Sequence, residues 1–204
     1  MISKETIQKN LMNCLDDTSF LNVPGFRRGK VRDTYDLGDS LILITTDRQS
    51  AFDRILANTP FKGQVLNQIS AFWFENTSDI VSNHVLKIPD PNVTIGKKCK
   101  VIPVEFVMRA YLTGSTDTSA WVQYSQGIRD ICGNILPDGM KKNQRFEKPI
   151  LTPTTKSVAH DESISAVQIV DQGLIDTETW GNLQKIAFSL FARGTEIAAR
   201  NGLI

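Results

Sequence analysis

Three short segments of this chain gather the residue types that bind anions and move charge. The first, Gly25 to Ser40, reads GFRRGKVRDTYDLGDS and holds four cations, three acids and three glycines. It falls short of the glycine-rich nucleotide loop ending in Gly-Lys-Ser/Thr, because three residues separate Gly25 from Gly29-Lys30 and Val31 stands where a hydroxyl would meet a metal. Alternation gives a better reading. Side chains two apart on a strand share a face, so Arg28, Lys30 and Arg32 would present three positive charges together, suited to a polyphosphate. The competing reading is a solvated strand face whose cations only protect an edge.

The second segment, TTDRQSAFD from Thr45 to Asp53, follows an apolar run directly, which puts Asp47, Arg48, Ser50 and Asp53 where a strand leaves its sheet. Arg48 could hold a carboxylate or phosphate through two parallel hydrogen bonds, and Asp47 could orient an amine or hydroxyl. A capped turn with a surface ion pair explains the same residues. The third, IPVEFVMRAYLTGS from Ile102 to Ser115, sets Glu105 and Arg109 inside an apolar run that ends in a Thr-Gly-Ser turn. Four apart on one strand face, they could pair with each other, or Glu105 could meet a ribose hydroxyl and Arg109 an acidic substrate. Further on, LTPTTKSVAHDES from Leu151 to Ser163 groups hydroxyls, Lys156, His160, Asp161 and Glu162. Nothing there makes His160 a base, and the two acids could equally sit at the N-terminus of the next helix.

The elements that must position these groups follow from pattern. Leu37-Gly38-Asp39-Ser40 supplies a tight turn and SLILITT from Ser40 to Thr46 a β-rich run, which predicts a hairpin. Ile7, Leu11, Met12 and Leu15 predict a leading helix over 2–15, and Val65, Leu66, Ile69, Phe72 and Trp73 an amphipathic helix over 61–76. HVLKI, KCKVI and VEFVMR read as strands around a turn-rich PDPNVTIG, so the first 109 residues should form a mainly antiparallel sheet with a helix. Loops around short strands are expected over 128–156, then two closing helices. Asp176 caps the last, whose apolar stripe from Leu183 to Ala198 predicts core packing before the Asn201-Gly202 end. The lobe boundary is expected near 104–109, giving an N-terminal β lobe over 1–104 and a second lobe over 105–204.

With 204 residues, 41% hydrophobic and 22% charged, the chain has a globular composition with enough length for a substantial core. Its net charge of +1 supplies no global field for nucleic acid or an anionic membrane, so any basic site is local. Cys14, Cys99 and Cys132 lack zinc or disulfide spacing and read as reduced thiols of a cytoplasmic protein. No segment approaches the roughly 18 apolar residues of a membrane span.

Taken together and in order, GKVRDTY, TTDRQSAFD, IPVEFVMRAYLTGS and TPTTKSVAHDESIS resemble the phosphoribosylaminoimidazole-succinocarboxamide synthases, or SAICAR synthetases, over about Gly25 to Ile204. The resemblance implies an α+β, two-lobed fold with a small antiparallel N-terminal lobe, a larger α/β lobe and ATP in the cleft between them. It implies a ligase of purine biosynthesis that uses ATP and Mg2+ to join L-aspartate to carboxyaminoimidazole ribonucleotide through an acyl phosphate. By motif match, Gly29, Lys30, Val31, Arg32 and Asp33 would lie over the ATP phosphates and Glu105 would face the nucleotide. Asp47, Arg48, Ser50, Arg109, Gly114, Ser115 and Lys156 would meet the acidic substrates, with Lys30, Arg32 and Asp161 closest to the chemistry. Family members continue beyond RNGLI with a strand and later acidic and Ser-Arg segments that contribute metal ligands and substrate contacts. A sequence that stops at Ile204 resembles their first two-thirds, so no metal ligands are assigned. An ATP-binding relative without turnover is the alternative, and apolar surface left open by the missing strand would favour association between copies.

Overall fold

The computed structural model describes residues 3–51, 54–116, 119–156 and 162–203. The chain folds as two compact units, Met1–Lys100 and Val101–Ile204.

In the first unit a five-stranded antiparallel sheet has the order β1-β2-β3-β7-β6. Its strands are β1 (Phe26–Arg28), β2 (Arg32–Asp36), β3 (Ser40–Thr45), β6 (Val85–Asp90) and β7 (Val93–Lys97). A separate hairpin pairs β4 (Arg48–Ala51) with β5 (Arg54–Asn58). The β2–β3 hairpin turns at Gly38 as its Gly-Asp pair predicts, with Asp33 opposite Ile44 and Tyr35 opposite Ile42. Lys30, however, lies in the loop joining β1 to β2, so Arg28, Lys30 and Arg32 do not share a strand face. Arg28 is instead engaged at the surface, donating to Asp17 at 2.8 Å. The strand expected in KCKVI lies earlier, in the VTIGK of β7, because the Pro and Asn before Val93 mark a tight β6–β7 turn and not the end of the sheet.

Two helical expectations change in kind. The leading helix α1 spans only Lys4–Lys9, followed by a single tight turn at Leu11–Asn13, and buries no side chain. Helix α2 (Lys62–Asn76) forms where expected but turns the other way. Its buried residues are Gly63 and Asn67, while Ile69 and Phe72 remain 49% and 46% exposed. Contact distance explains the inversion. A Cβ on Gly63 would stand 2.3 Å from the Thr45 carbonyl oxygen, so the helix approaches β3 too closely for a larger residue. One turn on, Asn67 donates to the Pro91 carbonyl at 3.0 Å and accepts from the Thr94 hydroxyl at 2.8 Å.

The second unit has a conventional apolar interior. VEFVMR divides into β8 (Val104–Glu105) and β9 (Met108–Leu112), and α3 (Ala120–Ser125), absent from the sequence-based expectation, follows under a Ser119 cap. The short hairpin of β10 (Asp130–Ile131) and β11 (Asn134–Ile135) turns through Cys132-Gly133. Strand β12 (Gln144–Leu151) then pairs with β9, and β13 (Thr154–Thr155) with β8. Val104, Leu151, Ile164, Ile169, Ile175 and Trp180 form one buried cluster, and Leu112, Tyr124, Ile131 and Phe146 anchor a second. Helix α4 (Ala166–Asp171) opens with a capping box between Ser165 and Gln168. Helix α5 (Thr177–Arg200) is capped by Asp176 as expected, through Thr179 N–H at 2.8 Å. Its stripe forms the half-buried face of the helix, with Leu183 packed against the first cluster, and among the described residues Trp180, stacked on Phe106, is the one fully buried residue of α5. None of the described helices is long and apolar enough to cross a membrane.

Candidate functional site

In the first unit the GKVRD segment is built around a buried ion pair. Strand β2 alternates, and its inward positions are Asp33 and Tyr35. An acid facing inward must be satisfied or it destabilises the fold. Asp33, 0% exposed, accepts from Thr18 N–H at 3.1 Å and Thr18 hydroxyl at 2.8 Å through Oδ2, and from Arg48 Nη2 at 2.6 Å through Oδ1. Arg48, 1% exposed, donates its other hydrogen bonds to backbone: Nε to Lys30 O at 3.1 Å, Nη2 to Gly29 O at 3.0 Å, and Nη1 to Asp16 O.

Asp47 is likewise fully engaged by backbone. Its Oδ2 accepts from Leu15 N–H at 2.9 Å and its Oδ1 from Gly63 N–H at 2.8 Å. The second bond caps α2 from a distance, since the residue preceding that helix, Phe61, makes no side-chain cap. Substrate contacts are expected of Asp47 and Arg48 and an ATP contact of Asp33, and the structure places all three in the interior of the first unit. All three side chains are buried and spend their charge inside the unit. Ser50 lies half-buried on β4, opposite Ile55. What remains at the surface is the loop itself. Gly29, Lys30 and Arg32 are exposed and Val31 is half-buried. Gly29 is required there because a Cβ would stand 2.6 Å from the Arg32 carbonyl oxygen.

In the second unit, Glu105 and Arg109 do not pair with each other. They reach one cavity of about 190 Å³ from two strands, together with Thr152, Thr154, Cys132 and Ser163. Arg109 donates through Nε to Thr152 Oγ1 at 2.9 Å, and Thr152 is fixed by bonds from its N–H and hydroxyl to Val107 O. Among the described residues the two terminal nitrogens of Arg109 have no hydrogen-bond partner, and neither has the buried hydroxyl of Thr154. Burial pushes the Cys132 thiol up, against smaller opposing effects from Ser163, Ile164 and Arg109, so it stays protonated at neutral pH. Glu105 meets Lys156 at 3.4 Å, a half-exposed contact.

Gly114 and Ser115 sit in the turn between β9 and α3, outside the cavity lining, with Ser115 exposed. Asp161, His160 and Asp53 lie outside the described residues. Sequence reasoning does not single out Thr152 or Cys132. The Cys132-Gly133 pair is the available signal: both residues have positive φ, 55° and 85°, as a tight hairpin turn demands, which fixes the thiol at the cavity wall. Among the described residues no three His, Cys, Asp or Glu side chains converge as a metal site would require. The described residues alone thus do not supply a protein cage for the Mg2+ that the resemblance implies.

Residues 25–204 match the SAICAR synthetase family over most of the chain. The chain belongs to that family. It is 56% identical to the phosphoribosylaminoimidazole-succinocarboxamide synthase of Legionella pneumophila over 94% of its own length and 61% of that protein's. To the chloroplastic enzyme of Vigna aconitifolia it is 54% identical, covering 98% of this chain and 60% of the relative. Among solved structures, the SAICAR synthase from Saccharomyces cerevisiae complexed with SAICAR aligns with a TM-score of 0.79 and 31% identity, over 91% of this chain and 67% of that one. The chain spans about three-fifths of the length of these curated relatives.

Proposed function

We propose that this chain carries the phosphoryl-binding and acid-binding parts of an ATP-dependent ligase that joins L-aspartate to carboxyaminoimidazole ribonucleotide. The observation that carries this reading is Arg109, set in a polar cavity with Nε anchored and its terminal nitrogens unengaged among the described residues. A guanidinium fork in that state suits a carboxylate or phosphate better than it suits a neutral ligand. The similarity to the yeast protein solved with SAICAR, whose succinyl and ribonucleotide ends are both anionic, supports the same assignment.

In this reading ATP transfers its terminal phosphoryl group to the carboxylate of the ribonucleotide, leaving ADP and an acyl phosphate. The aspartate amine then attacks the acyl carbon, phosphate leaves, and the amine loses a proton as the amide forms. The chain's part is electrostatic: Lys30 and Arg32 offset charge on the transferred group. Arg109 orients the acidic substrate, Ser115 and Lys156 assist at that end, and Glu105 meets the nucleotide. Mg2+ enters no step derived from these residues. The cytoplasm is the matching compartment, in keeping with three free cysteines.

The test is product formation from Mg-ATP, aspartate and carboxyaminoimidazole ribonucleotide by this chain. Succinocarboxamide ribonucleotide that requires all three substrates supports the ligase. Nucleotide binding by folded protein that yields no product favours the alternative, an ATP-binding relative without turnover. Lys30→Ala is expected to weaken ATP binding about tenfold, read by calorimetry. Unchanged affinity would remove Lys30 from the phosphate site.

A further inference from the structure

We propose that Arg48 is a positioning residue that acts from beneath the loop: it turns the Gly29 and Lys30 carbonyls inward, as Thr46 does that of Val31, so that the backbone N–H groups of Lys30, Val31 and Arg32 face a bound polyphosphate. The inference rests on the reading of this loop as the ATP phosphate site and goes beyond it, because it gives the phosphate grip to the backbone as well as to the cationic side chains.

The geometry is specific. Gly29 O and Lys30 O both accept from the Arg48 guanidinium, at 3.0 and 3.1 Å, and Val31 O accepts from Thr46 N–H at 3.0 Å and Thr46 Oγ1 at 2.9 Å. The described residues include no cis peptide, and in a trans peptide the C=O and the following N–H point in opposite directions. Three consecutive carbonyls drawn toward Arg48 and Thr46 therefore turn the N–H groups of residues 30, 31 and 32 away from them. A run of N–H groups directed to one side forms a concavity that binds anions. The organiser of this form, Arg48, is buried and balanced by Asp33. Arg48 thus serves an anion it does not touch. Side-chain motifs point the other way, since an arginine in a binding motif is ordinarily read as a direct contact.

The experiment uses inorganic tripolyphosphate as a probe free of base and sugar. Its affinity is measured by calorimetry, and the amide resonances of Lys30, Val31 and Arg32 are followed by NMR, for the unaltered chain, Arg48→Lys and Thr46→Val. Lysine keeps the buried charge but lacks the planar fork whose separate nitrogens hold Gly29 O, Lys30 O and Asp33 in fixed directions. Tripolyphosphate is expected to bind the unaltered chain and shift all three amides. In folded Arg48→Lys the affinity falls about tenfold and the amide shifts are lost. Thr46→Val, which removes only one bond to Val31 O, lowers affinity about threefold. If the unaltered chain binds and Arg48→Lys binds equally well with the same amide shifts, the role of Arg48 is refuted while the phosphate site stands. If the unaltered chain binds neither tripolyphosphate nor ATP, the phosphate reading itself fails. Should Arg48→Lys not fold, the unaltered chain decides, and tripolyphosphate that binds without shifting the amides of Lys30 and Val31 overturns the proposal.

Discussion

The two units of this chain solve the problem of an interior with opposite materials. Among the described residues, the first unit buries nine polar or charged side chains and two apolar ones, Tyr35 and Ile44, whereas the second buries thirteen apolar side chains, Pro153 included, and two polar ones, Ser119 and Thr152. Apolar burial is non-directional: Ile169 and Trp180 add stability through the area they remove from water, with little demand on angle. A buried ion pair behaves differently. Its attraction is largely offset by desolvation, so Arg48 and Asp33 add little net stability but make any arrangement that separates them costly. The second unit's interior sets how firmly the chain folds. The first unit's interior sets which conformation one loop adopts.

That contrast can be broken by substitution, and the largest effect belongs at the polar floor. Asp33→Asn changes almost no volume yet leaves the Arg48 charge uncompensated, so it is expected to cost about 3–5 kcal/mol in denaturant unfolding. A cost below about 1 kcal/mol would mean the pair is not buried as described. The apolar side sharpens the comparison, since Ile169→Val also removes a small group from a fully buried site but is expected to cost only about 1 kcal/mol. Equal costs for the two substitutions would erase the distinction between the interiors.

The smallest effect concerns the cap of α5. Hydrogen bonds from Thr179 hold the Asp176 carboxyl below the ordinary carboxylate range. A depressed folded value means the contribution is present above the unfolded pKa and is lost as pH falls through the folded one. Asp176→Ala should therefore lower Tm at neutral pH, and the gap should narrow from about pH 4 downward. A gap that stays constant to pH 2 would show that charge has no part in the cap.

How much of this is legible in the sequence depends on whether the deciding contact is local. The β2–β3 hairpin, the Asp176 cap and the two closing helices are written within a few residues each, and they appear as the pattern predicts. The buried face of α2 is not legible, because it is set by how closely β3 approaches at Gly63, and apolar periodicity carries no information about that distance. Asp33 and Arg48 mislead for the same reason. Both lie in motifs rich in exposed charge, and only their 15-residue separation closing into a 2.6 Å contact shows them to be interior. In the other unit, Glu105 and Arg109 do reach one cavity, but from two strands and not along one.

The segment before the family match supplies a final point. The match to the family model begins at residue 25, yet Leu15, Asp16 and Thr18 provide a donor to Asp47, a carbonyl to Arg48 and two donors to Asp33. These residues act as a plug, closing from outside a floor that the hairpin cannot seal alone. Closing the loop from Leu15 to Asp47 is entropically costlier than forming the β2–β3 hairpin, so the plug should seat late in folding. A chain begun at Gly25 would retain the whole of the family-model match and still leave its charged floor open to water.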